Sequence, residues 1–356
     1  MTVGLAPLDD LAAMGAGDPG GMLGLIGGLG GQLRAGFRLG REASALPAAE
    51  GLTAAIVCGM GGSGVIGDLV RSVFGPHLPV PLQVVKGYEL PAWSARDTLV
   101  IAVSFSGNTE ETLAAYGRAL EANCRLVAIS AGGELAARAE ADDVPTISVP
   151  PDVPVPRAAL GYLAGAAVGV LDAIGLVPPA DDDVRQAGDL LDGLAGRLGP
   201  GVPAGENPAK SLAAWLVGRI PVVWGSEGVA EAAALRWKTQ LNENAKVPAF
   251  ASTLPELDHN EIEGWSEGSG APFGLVVLRH PEEDPRVAGR VAATLEAIAP
   301  SGMEARTILA EGSGRLAVAM SLVAIGDFVS TYLAILRKVD PTPVPVLMGL
   351  KARLAR

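Results

Sequence analysis

The sequence predicts an α/β fold made of two doubly wound parallel-sheet subdomains in tandem, closed by a C-terminal helix. Three observations carry this. Short, solidly apolar stretches alternate with helix-spaced segments from residue 53 onward, the pattern of parallel strands covered on both faces. The alternation runs twice with a weak internal likeness. AAIVCGMGGSG answers PVVWGSEG, TLVIAVSFSGNTEET answers FGLVVLRHPEEDPRV, and RLVAIS answers ARTILA, as a duplicated unit would. Finally, 356 residues that are 49% hydrophobic give enough chain for about two cores.

Taken in order, residues 1–50 form a Gly-rich segment, expected to be poorly ordered at its start, with one packing helix over 33–42. The first unit, residues 51–198, opens with a strand at 53–58, a glycine turn and a helix over 65–74. Strands follow at 82–85, 98–103, 125–129 and 145–149, with a short helix over 134–141. After a proline-rich crossing (PPDVPVP), helices are expected over 157–175 and 181–198. Residues 199–208, rich in Gly and Pro, read as a linker. The second unit, residues 208–356, has strands at 220–224, 247–251, 273–279 and 304–309. Its helices run over 228–246, 286–299 and 315–339, and a last short one lies within 343–356.

The net charge of −12 argues against nucleic acid or an anionic membrane surface as partner. An anionic substrate must then be drawn in by a local field. Cys58 and Cys124 are both expected inside strands and read as core, which suits a reducing cytosol. No basic, apolar leader is visible at the N-terminus. Residues 158–171 are too short to span a bilayer, and Asp327 interrupts the longer apolar run at 316–336. The expectation is a cytoplasmic protein without a membrane partner.

The chemistry is expected to centre on residues 98–113, TLVIAVSFSGNTEETL. A buried strand runs straight into a polar loop and a helix N-terminus. Hydroxyls of Ser104, Ser106 and Thr109 and amides from Gly107 and Asn108 onward converge where the helix dipole favours an anion. Thr109 also fits a simple helix cap. The second unit has Arg-His-Pro-Glu-Glu in place of this loop, so one phosphate site per chain is expected.

Residues 59–64 match G-x-G-x-x-G after a strand and before a helix, which raises dinucleotide binding. The acidic residue that such a site wants near the end of the next strand is missing; Val84-Val85-Lys86 stands there. A glycine turn that lets a sugar approach Gly61, Gly62 and Ser63 accounts for the motif equally well. The histidines, His77, His259 and His280, have no metal-ligand spacing. His259 does keep unusual company, in Asp-His-Asn-Glu. Arg157 opens a helix against its dipole, and so is expected to serve another partner.

Together these stretches resemble the bifunctional phosphoglucose/phosphomannose isomerase family, within the sugar isomerase (SIS) fold. The carriers are GMGGSG (59–64), SFSGNTEET (104–112), PRA (156–158), NENAK (242–246), ELDHNE (256–261) and Leu350-Lys351. The resemblance implies two SIS subdomains, no cofactor and no metal, and interconversion of glucose or mannose 6-phosphate with fructose 6-phosphate through a cis-enediolate. It implies Glu243 as the base, with burial tuning it to take and return a proton near neutral pH. Arg157 would sit against the enediolate oxygens. His259 would open the ring, reaching in from the second subunit of a homodimer, and Lys351 would assist at the ring oxygen. The phosphate would rest on Ser104, Ser106 and Thr109. The other readings are a non-catalytic SIS sugar-phosphate sensor and a nicotinamide oxidoreductase. An amidotransferase-type synthase is disfavoured, since neither cysteine stands at the N-terminus.

Overall fold

The computed structural model describes residues 5–354. It holds two all-parallel sheets. The first has strands β1 (Ala54–Cys58), β2 (Leu82–Val85), β3 (Thr98–Val103), β4 (Arg125–Ser130) and β5 (Thr146–Ser148) in the order β2-β1-β3-β4-β5. The second has β6 (Ile220–Ser226), β7 (Phe250–Leu254), β8 (Phe273–Arg279) and β9 (Glu304–Leu309) in the order β7-β6-β8-β9. The three pairs of like stretches fall on β1 and β6, β3 and β8, β4 and β9. These strands hold matching places in their sheets, so the duplication seen in the sequence is a duplication of topology. In each sheet the order reverses beside the first strand, and ligands in such sheets bind at that switch point.

Helices α1 (Leu11–Gly17), α2 (Met22–Gly27) and α3 (Leu29–Arg41) precede the first strand. In the first unit α4 (Gly61–Phe74), α5 (Glu110–Glu121), α6 (Gly133–Ala141), α7 (Leu160–Ala173) and α8 (Asp181–Leu198) follow. The second unit has α9 (Pro208–Leu216), α10 (Val229–Glu243), α11 (Pro285–Ile298), α12 (Arg315–Leu336) and α13 (Pro345–Leu354). Among the described residues α12 alone is long and apolar enough to cross a membrane, and protein covers its whole length. It is the central core helix.

The Gly-rich start departs from expectation. Residues 11–41 are almost wholly helical, and Met14, Met22, Leu23, Ile26, Leu33 and Phe37 are buried in the main core. The glycines explain why. A Cβ on Gly36 would stand 2.2 Å from the Tyr162 carbonyl, and one on Gly165 would stand 2.2 Å from that of Leu33. Glycines on α3 and α7 thus let two backbones touch, and apolar neighbours close around the seam. Gly165→Val is expected to cost about 3 kcal/mol or more of stability, since neither backbone can yield. Thermal unfolding checks this; an unchanged midpoint would mean that the seam is loose.

Three smaller differences have local causes. The helix expected at 157–175 begins with a 3-10 turn, Pro156–Ala159, before α7. The strand expected at 247–251 is β7, three residues later, because Lys246 turns left-handed (φ 54°) and Pro248 lacks an N–H. The linker region ends in a helix missed from the sequence: Asn207 caps α9 through the amides of Ala209 and Lys210, and Pro208 occupies its first turn.

Candidate active site

The polar loop after β3 is held from several sides. Its Gly107 has φ 69°, and a Cβ there would lie 1.8 Å from the Gly132 carbonyl, so only glycine fits. The Ser63 hydroxyl, from the first turn of α4, accepts from the Phe105 amide at 3.2 Å and ties the two glycine-bearing loops together. Ser104 and Thr109 share a hydroxyl hydrogen bond of 3.0 Å. Thr109 occupies the N-cap position of α5 but makes no side-chain cap bond. The capping reading therefore fails, and the first amides of α5 are free of it. Asn108 is committed elsewhere: its side-chain oxygen accepts from the Glu134 amide at 3.0 Å. Ser106 is exposed, and its hydroxyl accepts from the Asn108 amide at 3.3 Å.

Arg157 lies beside the glycine turn that Ser63 ties to this loop, because its backbone packs on Gly62. A Cβ on Gly62 would come within 3.1 Å of the Arg157 Cα. The guanidinium is buried, with 2% of the side chain exposed, and it is nearly saturated. Its Nε donates to Asn244 Oδ1 at 2.8 Å, and Nη2 donates to the carbonyls of Pro341 and Thr342 at 2.7 Å each. Nη1 donates to Glu243 Oε2 at 3.3 Å. Of five N–H groups, one on Nη1 is uncommitted, next to Glu243. Burial pushes this guanidinium below its ordinary value; Glu243 pulls it back and Arg236 opposes it.

Glu243 is the last residue of α10. Its side chain is 29% exposed, so it borders a solvent-open space and not the enclosed setting expected for it. Its carbonyl accepts from Lys246, whose ammonium also donates to the Pro341 carbonyl at 3.2 Å. Burial, and then Arg157, push the Lys246 ammonium below its usual range, while Asp340 and Glu243 oppose them. The Glu243–Arg157 pair thus abuts the loop bearing Gly61, Gly62 and Ser63, which is tied to Ser104 and Thr109. A carboxylate, a buried guanidinium and a hydroxyl-bearing helix N-terminus adjoin one another.

The structure does not bring the other two expected residues to this place. His259 ends a 3-10 turn, Glu256–His259, is exposed, and makes no hydrogen bond or ion pair to Glu243 or Arg157. Lys351 is exposed on α13, a helix with no buried residue. Conversely, Asn244, Arg236 and Asp327 were given no role from sequence. The signal was there in Asp327, a lone acid within an apolar helix.

A family model described as the bacterial phospho-glucose isomerase C-terminal SIS domain matches residues 205–354. A Caldicellulosiruptor bescii protein named bifunctional phosphoglucose/phosphomannose isomerase is 37% identical over 326 residues, covering 91% of this chain and 96% of that protein. The chain belongs to the bifunctional phosphoglucose/phosphomannose isomerase family. A further relative, from Sulfolobus acidocaldarius, is 32% identical over 67% of this chain and 72% of its own length. It is named D-glucosamine-6-phosphate 4-epimerase. Among solved structures, a hypothetical protein from Thermus thermophilus superposes with a TM-score of 0.75 over 99% of this chain and 95% of that one. At 19% identity it supports the tandem SIS fold alone.

Proposed function

We propose that this member of the family is a metal-independent aldose–ketose isomerase. It interconverts glucose 6-phosphate, mannose 6-phosphate or both with fructose 6-phosphate. The observation that carries the reading is the Glu243–Arg157 pair set against the anion cradle. The phosphate binds to the hydroxyls of Ser104, Ser106 and Thr109 and to the amides that begin α5, where the helix dipole favours it. With one end of the sugar fixed, C1 and C2 lie over Glu243, and the binding energy of the phosphate serves orientation.

Glu243 takes the proton from C2 of the aldose and returns it to C1, while the hydroxyl proton on the C2 oxygen passes to the C1 oxygen, or the reverse. The two carbons are bonded to each other, so one carboxylate reaches both. As the C–H bond breaks, charge moves onto the C1 and C2 oxygens, and the free Nη1 hydrogen of Arg157 is aimed at the place where it develops. Glucose and mannose 6-phosphates differ only at C2 and lose that difference in the enediolate. The proton transfers need no cofactor.

Hexose phosphates rest as closed rings, and opening them needs an acid/base that Glu243 cannot also be. His259 is the candidate, supplied by the second subunit of a homodimer, which accords with its exposure in a single chain. Lys351 is proposed to assist at the ring oxygen. The anion cradle belongs to a first SIS unit at 51–198, and the base and histidine segments to a second at 208–356.

The test is a coupled assay on fructose 6-phosphate in the presence of EDTA, reporting glucose 6-phosphate and mannose 6-phosphate separately, with the products also scanned for change at C4. Turnover at C1 and C2 that survives EDTA is the expected result. Sugar-phosphate binding without turnover would leave a sensor and sink the enzyme. Change at C4 alone would place the chain with the epimerase.

A further inference from the structure

Arg236 and Asp327 form an ion pair in the centre of the protein, with side chains 1% and 4% exposed. Arg236 lies two turns before Glu243 on α10, and Asp327 is the one acid inside α12. Arg236 grips the carboxylate through Nε at 3.0 Å and Nη2 at 2.8 Å. Its other Nη2 hydrogen goes to the main-chain carbonyl of Arg157, at 2.7 Å. The bonds continue from Asp327. Its carbonyl accepts from the Ser330 hydroxyl at 2.9 Å, and the Ser330 oxygen accepts from Asn244 Nδ2 at 3.1 Å. Asn244 Oδ1 then accepts from Arg157 Nε at 2.8 Å.

These bonds close a ring. It leaves the backbone of Arg157, passes through α10 and α12, and returns to the guanidinium of the same residue. Stability does not explain it: a buried ion pair gives up hydration that its attraction barely recovers, and apolar residues of like volume often do as well. A ring that grips both ends of one arginine does explain it. Four side-chain torsions separate the Arg157 backbone from Nη1, and anchoring both ends removes their freedom. Ser330 and Asp327 make no hydrogen bond or ion pair to Glu243 or to the proposed anion cradle, so their effect on chemistry would pass through Arg157.

We propose that Arg236, Asp327 and Ser330 are positioning residues for the isomerase, and that the closed circuit holds Arg157 Nη1 against Glu243. This rests on the isomerase reading above. The circuit answers the geometric demand of the proton transfer, since a displacement of about 1 Å at the reacting groups costs roughly 10² in rate.

The experiment measures kcat and KM for fructose 6-phosphate in Asp327→Asn, Ser330→Ala and the double variant, on protein whose fold is checked by circular dichroism. Each single change is expected to lower kcat about tenfold or more with KM within about threefold of wild type, because the phosphate cradle is untouched. The double is expected to be no slower than about the worse single, since a ring opened once is already open. Folded variants that keep wild-type kcat overturn the proposal, and so do two losses that simply multiply. If Asp327→Asn does not fold, Ser330→Ala, which removes only a hydroxyl, decides on its split between kcat and KM. A wild-type chain inactive on every hexose phosphate overturns the isomerase reading and this proposal with it.

Discussion

Glu243→Gln is expected to reduce kcat for fructose 6-phosphate by about 10² or more while KM changes only a few-fold. The substitution is nearly isosteric. A glutamine oxygen can still accept from Arg157 Nη1, so the guanidinium and its three other hydrogen bonds should stay in place. What is lost is the capacity to hold a proton between its removal from one carbon and its delivery to the next. The loss should therefore fall on kcat, since the loop proposed to hold the phosphate lies on other elements. Exchange of the C1 and C2 hydrogens with solvent gives an independent reading, and it should fall in step with turnover. Exchange that continues at the wild-type rate would move the base to another residue. A drop of less than about tenfold would say the same.

Much of this site was legible in the sequence, in proportion to how local each feature is. The loop at 104–109 and the glycine turn at 59–64 are strand-to-helix connections, so their residues announce both their geometry and their chemistry. The repeat in the strands is likewise visible, because parallel strands buried on both faces must be apolar throughout. From spacing alone Arg157 was legible only as a misfit, a cation at a helix start in need of a partner; only the family resemblance set it beside Glu243, 86 residues on. The same limit hid Asp327, which reads as an interruption of an apolar run until Arg236 is seen across from it. The N-terminal glycines were misread for a different reason. Small residues on a helix seam act through the approach of backbones, which leaves no hydrophobic pattern to find. His259 and Lys351 are both exposed in the single chain, and neither bonds to Glu243.

Arg157→Lys is expected to lower kcat by about 10²–10³, although the charge is kept. One ammonium cannot reach Asn244, Glu243 and two carbonyls at once, so a lysine must choose. If it settles on the carbonyls of Pro341 and Thr342, the enediolate loses its cation. If it turns toward Glu243, the Thr342 carbonyl and Asn244 lose their Arg157 donor and Pro341 keeps only Lys246, at about 1–3 kcal/mol for each buried group left unpaired. The substitution should therefore show a stability loss, a rate loss or both, and never neither. Comparing it with Arg157→Gln separates the two terms. Lysine should outperform glutamine in kcat if it reaches the enediolate, and match it if the carbonyls hold it. A lysine variant with wild-type kcat and wild-type stability would mean that neither the planar fork nor its placement matters. The site would then need a different electrophile.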